Sequence, residues 1–144
     1  MADKHTIRAA KAPPPVGAYP HAKQVGDLLF LSGIGPRPAG DGPIPGTAIS
    51  ADGEIITTDI EAQCHAVFAN VRTVLESAGA SWDDLVDITV FLTDLRRDFE
   101  TYNRVYAEYF SADGPCRTTV EVTRLPTPIA IELKCIARTG QAGG

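Results

Sequence analysis

The chain is poor in the residues from which disulfide frameworks and metal sites are made. Its three cysteines, Cys64, Cys116 and Cys135, are odd in number and never fall in C-x-x-C spacing, which argues against a stapled scaffold and a thiolate zinc site and leaves them as small core residues. His5, His21 and His65 are equally scattered. No H-x-x-x-H or H-E-x-x-H pair puts two imidazoles on one helical face, so no metal is expected. Long hydrophobic runs are missing too: Leu28 to Leu31 and Val90 to Leu92 fall far short of the ~20 residues that cross a bilayer. The start, Met1-Ala-Asp-Lys-His-Thr-Ile-Arg8, has no apolar h-region, so the expected location is the cytoplasm, away from membranes. Positive charge is scarce: 13 Lys and Arg face 18 Asp and Glu, a net charge of -5. Such a field repels phosphate backbones, and nucleic acid is not an expected partner.

What remains is an ordinary globular chain of 144 residues, 44% apolar, and its length predicts one domain over 1–144. From Thr57 to Gly79, apolar residues at Ile60, Cys64, Val67, Phe68, Val71, Val74, Leu75 and Ala78 have the spacing of one buried helical stripe. Thr58-Asp-Ile-Glu61 reads as a capping box at its start and Gly79 as its left-handed stop. A second helix is predicted from about Arg97 to Phe110, with Phe99, Tyr102, Val105, Tyr106, Tyr109 and Phe110 on its buried face.

Strands are predicted at Leu28 to Gly33, Leu85 to Thr93, Arg117 to Val122 and Ile129 to Ala137, with weaker signals near Thr6 to Ala10 and Ala18 to Lys23. Gly35 to Gly53, rich in proline and glycine, reads as a surface loop. About six strands and two helices in this order predict an α+β arrangement, a sheet with both helices on one face.

Alternation in the last two strands separates their faces. Ile129, Ile131, Leu133 and Cys135 point one way, and Ala130, Glu132 and Lys134 the other. In the preceding strand Thr118, Val120 and Val122 separate from Arg117, Thr119 and Glu121. This predicts Arg117, Thr119, Glu121, Glu132 and Lys134 together on the face away from the helices. That face is either solvated or covered by another subunit to make a polar pocket.

Simple catalytic motifs fail on their context. Gly33-Ile-Gly35 runs into Pro36 and Pro38 instead of a helix, so it is no dinucleotide loop. Ser32 is not in a G-x-S-x-G elbow, and the side chains of Cys64 and His65 diverge on their helix. Arg37 reads more readily as a solvated loop arginine, and Tyr19 and His21 read equally as packing residues at a strand end.

Longer words carry more. Gly17-Ala-Tyr19-Pro-His-Ala, Leu31-Ser-Gly33, Asp59-Ile-x-x-Gln63, Asn70-Val71, Val90-Phe-Leu-Thr-Asp94, Phe99-x-x-Tyr-Asn103-x-x-Tyr106, Pro115-x-Arg117-Thr-Thr119 and Leu125-Pro126-x-x-x-x-Ile-Glu132 resemble, in order and spacing, the RidA (YjgF) family. The resemblance covers about residues 16–137 and leaves 138–144 as a short flexible tail. It implies a chorismate-mutase-like domain with a mixed sheet, assembled as a homotrimer with sites between subunits. It also implies a cofactor-independent deaminase of imine and enamine acids. In that likeness Arg117 holds the substrate carboxylate, as a guanidinium fork can do bidentately, and Glu132 positions the attacking water. Tyr19, Ser32, Asn103 and Thr119 correspond to other pocket positions.

Two departures mark the pocket. Lys134 stands where many members carry a second acid, and Tyr19-Pro-His21 replaces Tyr-Ser-Gln. With the stretches Ser32 to Arg37 and Leu125 to Lys134, these look more similar to the 2-aminomuconate deaminase branch. A diacid would then meet Arg117 with one carboxylate and Arg37, His21 or Lys134 with the other. The rivals are a general 2-iminopropanoate or 2-iminobutanoate deaminase and a non-catalytic binder of small acids or proteins. A ribonuclease comes last, since the acidic chain has neither a basic stripe nor a histidine pair.

Overall fold

A computed structural model describes residues 4–139. Six strands form one mixed sheet: β1 (Lys4–Ile7), β2 (Ala22–Val25), β3 (Leu28–Leu31), β6 (Leu85–Leu92), β7 (Cys116–Glu121) and β8 (Ile131–Arg138). Their order is β1-β2-β3-β8-β6-β7. β6 and β7 run parallel, as the intervening helix α2 (Leu95–Tyr109) requires, and the other neighbours are antiparallel. Helix α1 (Ile60–Ser77) packs on α2 and on β8, the two helices forming a layer against the sheet. The predicted α+β layout with six strands and two helices is thus the one observed. Arg138 is not tail but the end of β8, opposite Leu28 and paired with Asp27 at 2.9 Å; residues 140–144 of the expected tail lie outside the described residues.

The α1 stripe is buried as its spacing predicted: Ile60, Cys64, Val67, Phe68, Val71, Val74 and Leu75 all lie in the core. The start of the helix differs. Asp59, not Thr58, is the N-cap, accepting from the Ala62 N–H at 3.2 Å, while Glu61 is drawn out to Arg104 at 2.9 Å instead of closing a capping box. At the other end Gly79 takes φ +77° and lets the Ala80 N–H reach back to the Leu75 carbonyl at 2.9 Å. In α2, Asp94 caps the Arg97 N–H at 3.0 Å. Phe99 is not on its buried face but exposed, and Asp98 is buried in its place, locked by two 2.8 Å bonds to Arg97.

Two further expectations need correction. The stretch 35–53 is not all loop: β4 (Thr47–Ile49) pairs with β5 (Ile55–Thr58) in a separate hairpin. Its apolar residues Ile49, Ile55 and Ile56 face out, so no alternation of burial advertised it. Cys116 is exposed at the start of β7, whereas Cys64 and Cys135 are buried, their thiols pushed up to about 12 chiefly by burial.

Candidate functional site

The faces of the sheet decide what can meet what. Across the ladders Arg117 pairs with Ile88 and Ile88 with Cys135; Thr119 pairs with Val90 and Val90 with Leu133. Residues opposed in register share a face, and Ile88, Val90, Leu133 and Cys135 are fully buried beneath the helices. Arg117, Thr119 and Glu121 therefore lie on the helix side. Glu132 pairs with Phe91 and Phe91 with Val120; Lys134 pairs with Thr89 and Thr89 with Thr118. These belong to the opposite face. The expectation that Arg117, Thr119 and Glu121 share a face with Glu132 and Lys134 is overturned: alternation gives the period of a strand but not which half turns inward. Val120, taken for core, is 38% exposed.

Around Arg117 the second helix builds an aromatic support. The guanidinium carbon lies 5.2 Å from the ring centre of Tyr102 and 4.7 Å from that of Tyr106, so both rings offer their negative faces to the cation. Nη1 donates to Asn103 Oδ1 at 2.9 Å. Tyr102, fully buried, meets Thr119 Oγ1 through its hydroxyl at 3.2 Å. Burial raises the Tyr102 pKa above the ordinary phenol range, partly offset by the Thr119 bond and the Arg117 charge. The Tyr106 hydroxyl is buried without a partner among the described residues, and burial pushes its pKa up to about 12. Arg117, Asn103 and Thr119 thus come together as one cluster. The two tyrosines were read only as core residues, although their i, i+4 spacing on one helical face was a usable signal.

On the opposite face Glu132 opens into a cleft of about 120 Å³ lined by Val16, Tyr19, Gly33, Gly35, Arg37, Pro126, Thr127 and Ile129. A Cβ at Gly33 would stand 2.5 Å from Glu132 Oε2, so any side chain there would push the carboxylate from its present place. No donor among the described residues bonds the carboxylate. Burial raises its pKa above the usual carboxylate range, and the nearby Arg37 guanidinium pulls it partly back. A carboxylate so shifted is a better proton acceptor than an exposed one.

The remaining candidates divide around this cleft. Tyr19 and Arg37 line both it and a smaller hollow that also holds Ser32 and His21. Arg37 donates to the Pro14 carbonyl at 2.6 Å, Ser32 Oγ to that of Pro20 at 2.7 Å, and the Tyr19 hydroxyl accepts from Val16 at 3.2 Å. Both ring nitrogens of His21 are engaged: Nδ1 accepts from Ala9 at 3.0 Å and Nε2 meets the Pro13 carbonyl at 2.8 Å. Lys134 donates to the Leu31 carbonyl. No three His, Cys, Asp or Glu side chains gather as a metal-binding group among the described residues, and no helix there is long and apolar enough to cross a membrane.

Comparison with known proteins gives this geometry a setting. Residues 9–139 match the family model described as endoribonuclease L-PSP. A RutC family protein of Pyrococcus abyssi is 44% identical over 135 residues, 93% of this chain and 96% of its own. Reactive Intermediate Deaminase A, chloroplastic, of Arabidopsis thaliana is 37% identical over 134 residues, 93% of this chain and 65% of its own. The crystal structure of E. coli TdcF with bound serine superposes with a TM-score of 0.80 at 32% identity, covering 94% of this chain and 99% of that one. With matching words, sheet order and near-complete coverage in agreement, the chain belongs to the RidA (YjgF) family.

Proposed function

We propose that the protein is a cofactor-independent deaminase that hydrolyses the imine or enamine nitrogen of a small carboxylic acid, and that it does so between subunits of a homotrimer. The observation that carries this reading is the half-buried Glu132, with raised pKa and no bonded donor among the described residues, facing an open cleft. The enamine tautomerises to its imine. Glu132 directs a water to the imine carbon and takes its proton; the carbinolamine expels ammonia and leaves a 2-oxo acid. Arg117, its guanidinium carbon set over two tyrosine rings, anchors the substrate carboxylate. The plant relative's name, Reactive Intermediate Deaminase A, and the serine held by TdcF support this chemistry and an amino-acid-sized ligand.

Two features support a shared site. Arg117 and Glu132 occupy opposite faces of one sheet, so one substrate reaches both when the residues come from different chains. The outer face also exposes Leu28, Phe30 and Val120, an apolar surface suited to a partner subunit. Mixing the impaired Arg117→Ala and Glu132→Gln chains after dissociation tests this: activity above that of either variant alone supports shared sites, and no gain rejects them.

Within this reading, a 2-amino-dienoic diacid such as 2-aminomuconate is the proposed substrate. Arg37, which lines the Glu132 cleft and gives one nitrogen to the Pro14 carbonyl, supplies the second cation, whereas His21 and Lys134 do not line that cleft. A general deaminase of 2-iminopropanoate is the second reading, favoured by the serine in TdcF. Ammonia release from 2-aminomuconate and from 2-iminopropanoate under matched conditions separates the two. Preference for the diacid supports Arg37 as anchor; preference for the small imine removes it. The family model's description names an endoribonuclease, but the net charge of -5 gives RNA no electrostatic footing.

A further inference from the structure

Both walls of the Glu132 cleft are tied to one face of α1. Asn70 donates from its single amide nitrogen to the carbonyls of Gly35 and Arg37, at 2.8 Å each. Two turns earlier Gln63, fully buried, accepts from the Ala130 N–H at 2.7 Å and donates to Thr47 Oγ1. The Thr47 hydroxyl in turn donates to the Pro128 carbonyl at 2.9 Å. Seven residues apart, the two amides lie nearly in line along the helix. Asn70 thus grips the wall that carries Gly33, Gly35 and Arg37, and Gln63 grips the wall of Pro126, Thr127 and Ile129. The Ile34 and Leu133 backbones join the two walls beside Glu132 through reciprocal bonds of 2.9 and 2.8 Å.

Core packing does not account for these residues. Position 63 falls on the buried stripe between Ile60 and Val67, where a leucine would add apolar burial at no desolvation cost. A buried amide is worth keeping there only for the bonds it makes. Glu132 has no donor of its own among the described residues, so the place of its carboxylate follows from its strand and from where the walls stand.

We propose that Gln63 and Asn70 are positioning residues of the deaminase site: α1 is a rigid frame whose two amides hold the cleft at the width at which Glu132 can direct a water. This rests on the reading of Glu132 as the water-directing base. The test is steady-state ammonia release by Asn70→Ala and Gln63→Leu, with thermal midpoints, in wild-type and Glu132→Gln backgrounds. Asn70→Ala, at a partly buried site, is expected to fold and to lower kcat about 10-fold or more with KM within about 3-fold, as misplacement of a reacting group does. In the Glu132→Gln background the same change should leave the residual rate unmoved, because the two act as a unit. A folded Asn70→Ala protein with wild-type kcat, or an equal loss in both backgrounds, overturns the proposal. If Gln63→Leu does not fold, the Asn70 pair decides alone. Wild-type kcat in Glu132→Gln itself would instead overturn the reading of the base, and the frame with it.

Discussion

Arg117 and Glu132 are held in opposite ways. Arg117 stands on β7, an edge strand paired with β6, and its charge rests on the aromatic faces of Tyr102 and Tyr106. Glu132 stands on β8, a central strand paired on both sides and flanked by the fully buried Ile131 and Leu133. Its own charge is disfavoured by burial. An anchor for a carboxylate gains from permanent charge at an accessible edge, where unpaired strand groups also invite a partner. A base gains from a fixed backbone and a carboxylate poised to take a proton. The two halves of one proposed site thus call for different environments, and a single sheet supplies both only on different faces.

Breaking the base should have the largest effect. Glu132→Gln is expected to lower kcat by about 10²–10⁴-fold with substrate binding retained, measured as ammonia release beside a binding titration. Because the folded-state pKa of Glu132 is raised, its ionisation costs stability as pH rises through that value, and the Gln variant should melt higher than wild type at neutral pH. Breaking the anchor comes next: Arg117→Ala should weaken substrate binding by about 2–5 kcal/mol, seen in KM and in kcat/KM. A subtler change sharpens the contrast. Arg37 pulls the Glu132 pKa down, so Arg37→Ala should move the acid limb of the kcat/KM profile to higher pH. An unmoved limb would mean that the two do not interact. The smallest effect concerns the support under Arg117. Tyr106→Phe removes a buried hydroxyl that has no partner among the described residues and keeps the ring, so it should leave KM unchanged and raise stability by about 1 kcal/mol, read from denaturant unfolding.

Much of the fold was legible because burial of apolar side chains dominates its long elements. The α1 stripe, the β8 alternation and the Gly79 stop each follow from local spacing, and each is where it was predicted. The β4–β5 hairpin was not, since a three-residue strand with its isoleucines facing solvent leaves no periodic mark. The phase of β7 failed for a related reason. An edge strand is weakly constrained by its neighbours, and the rings of Tyr102 and Tyr106 make the inner side hospitable to a cation that alternation alone assigns to the outside. Gln63 left a signal that could have been read, a polar residue on a buried stripe, but its partners at Thr47 and Ala130 are distant in sequence.

By itself the sequence determined the layer architecture, the family and the residue types suited to the chemistry, because periodicity, turn residues and ordered words are local properties of a chain. Only the tertiary structure decided that Arg117 and Glu132 turn to opposite faces, that Gly33 lies directly beside the Glu132 carboxylate, and that two amides of one helix hold both walls of the cleft. Those facts depend on register and on which face meets the helices. Both are settled when distant segments pack together, where the cost of an unpaired buried polar group selects one arrangement over others that share the same local pattern.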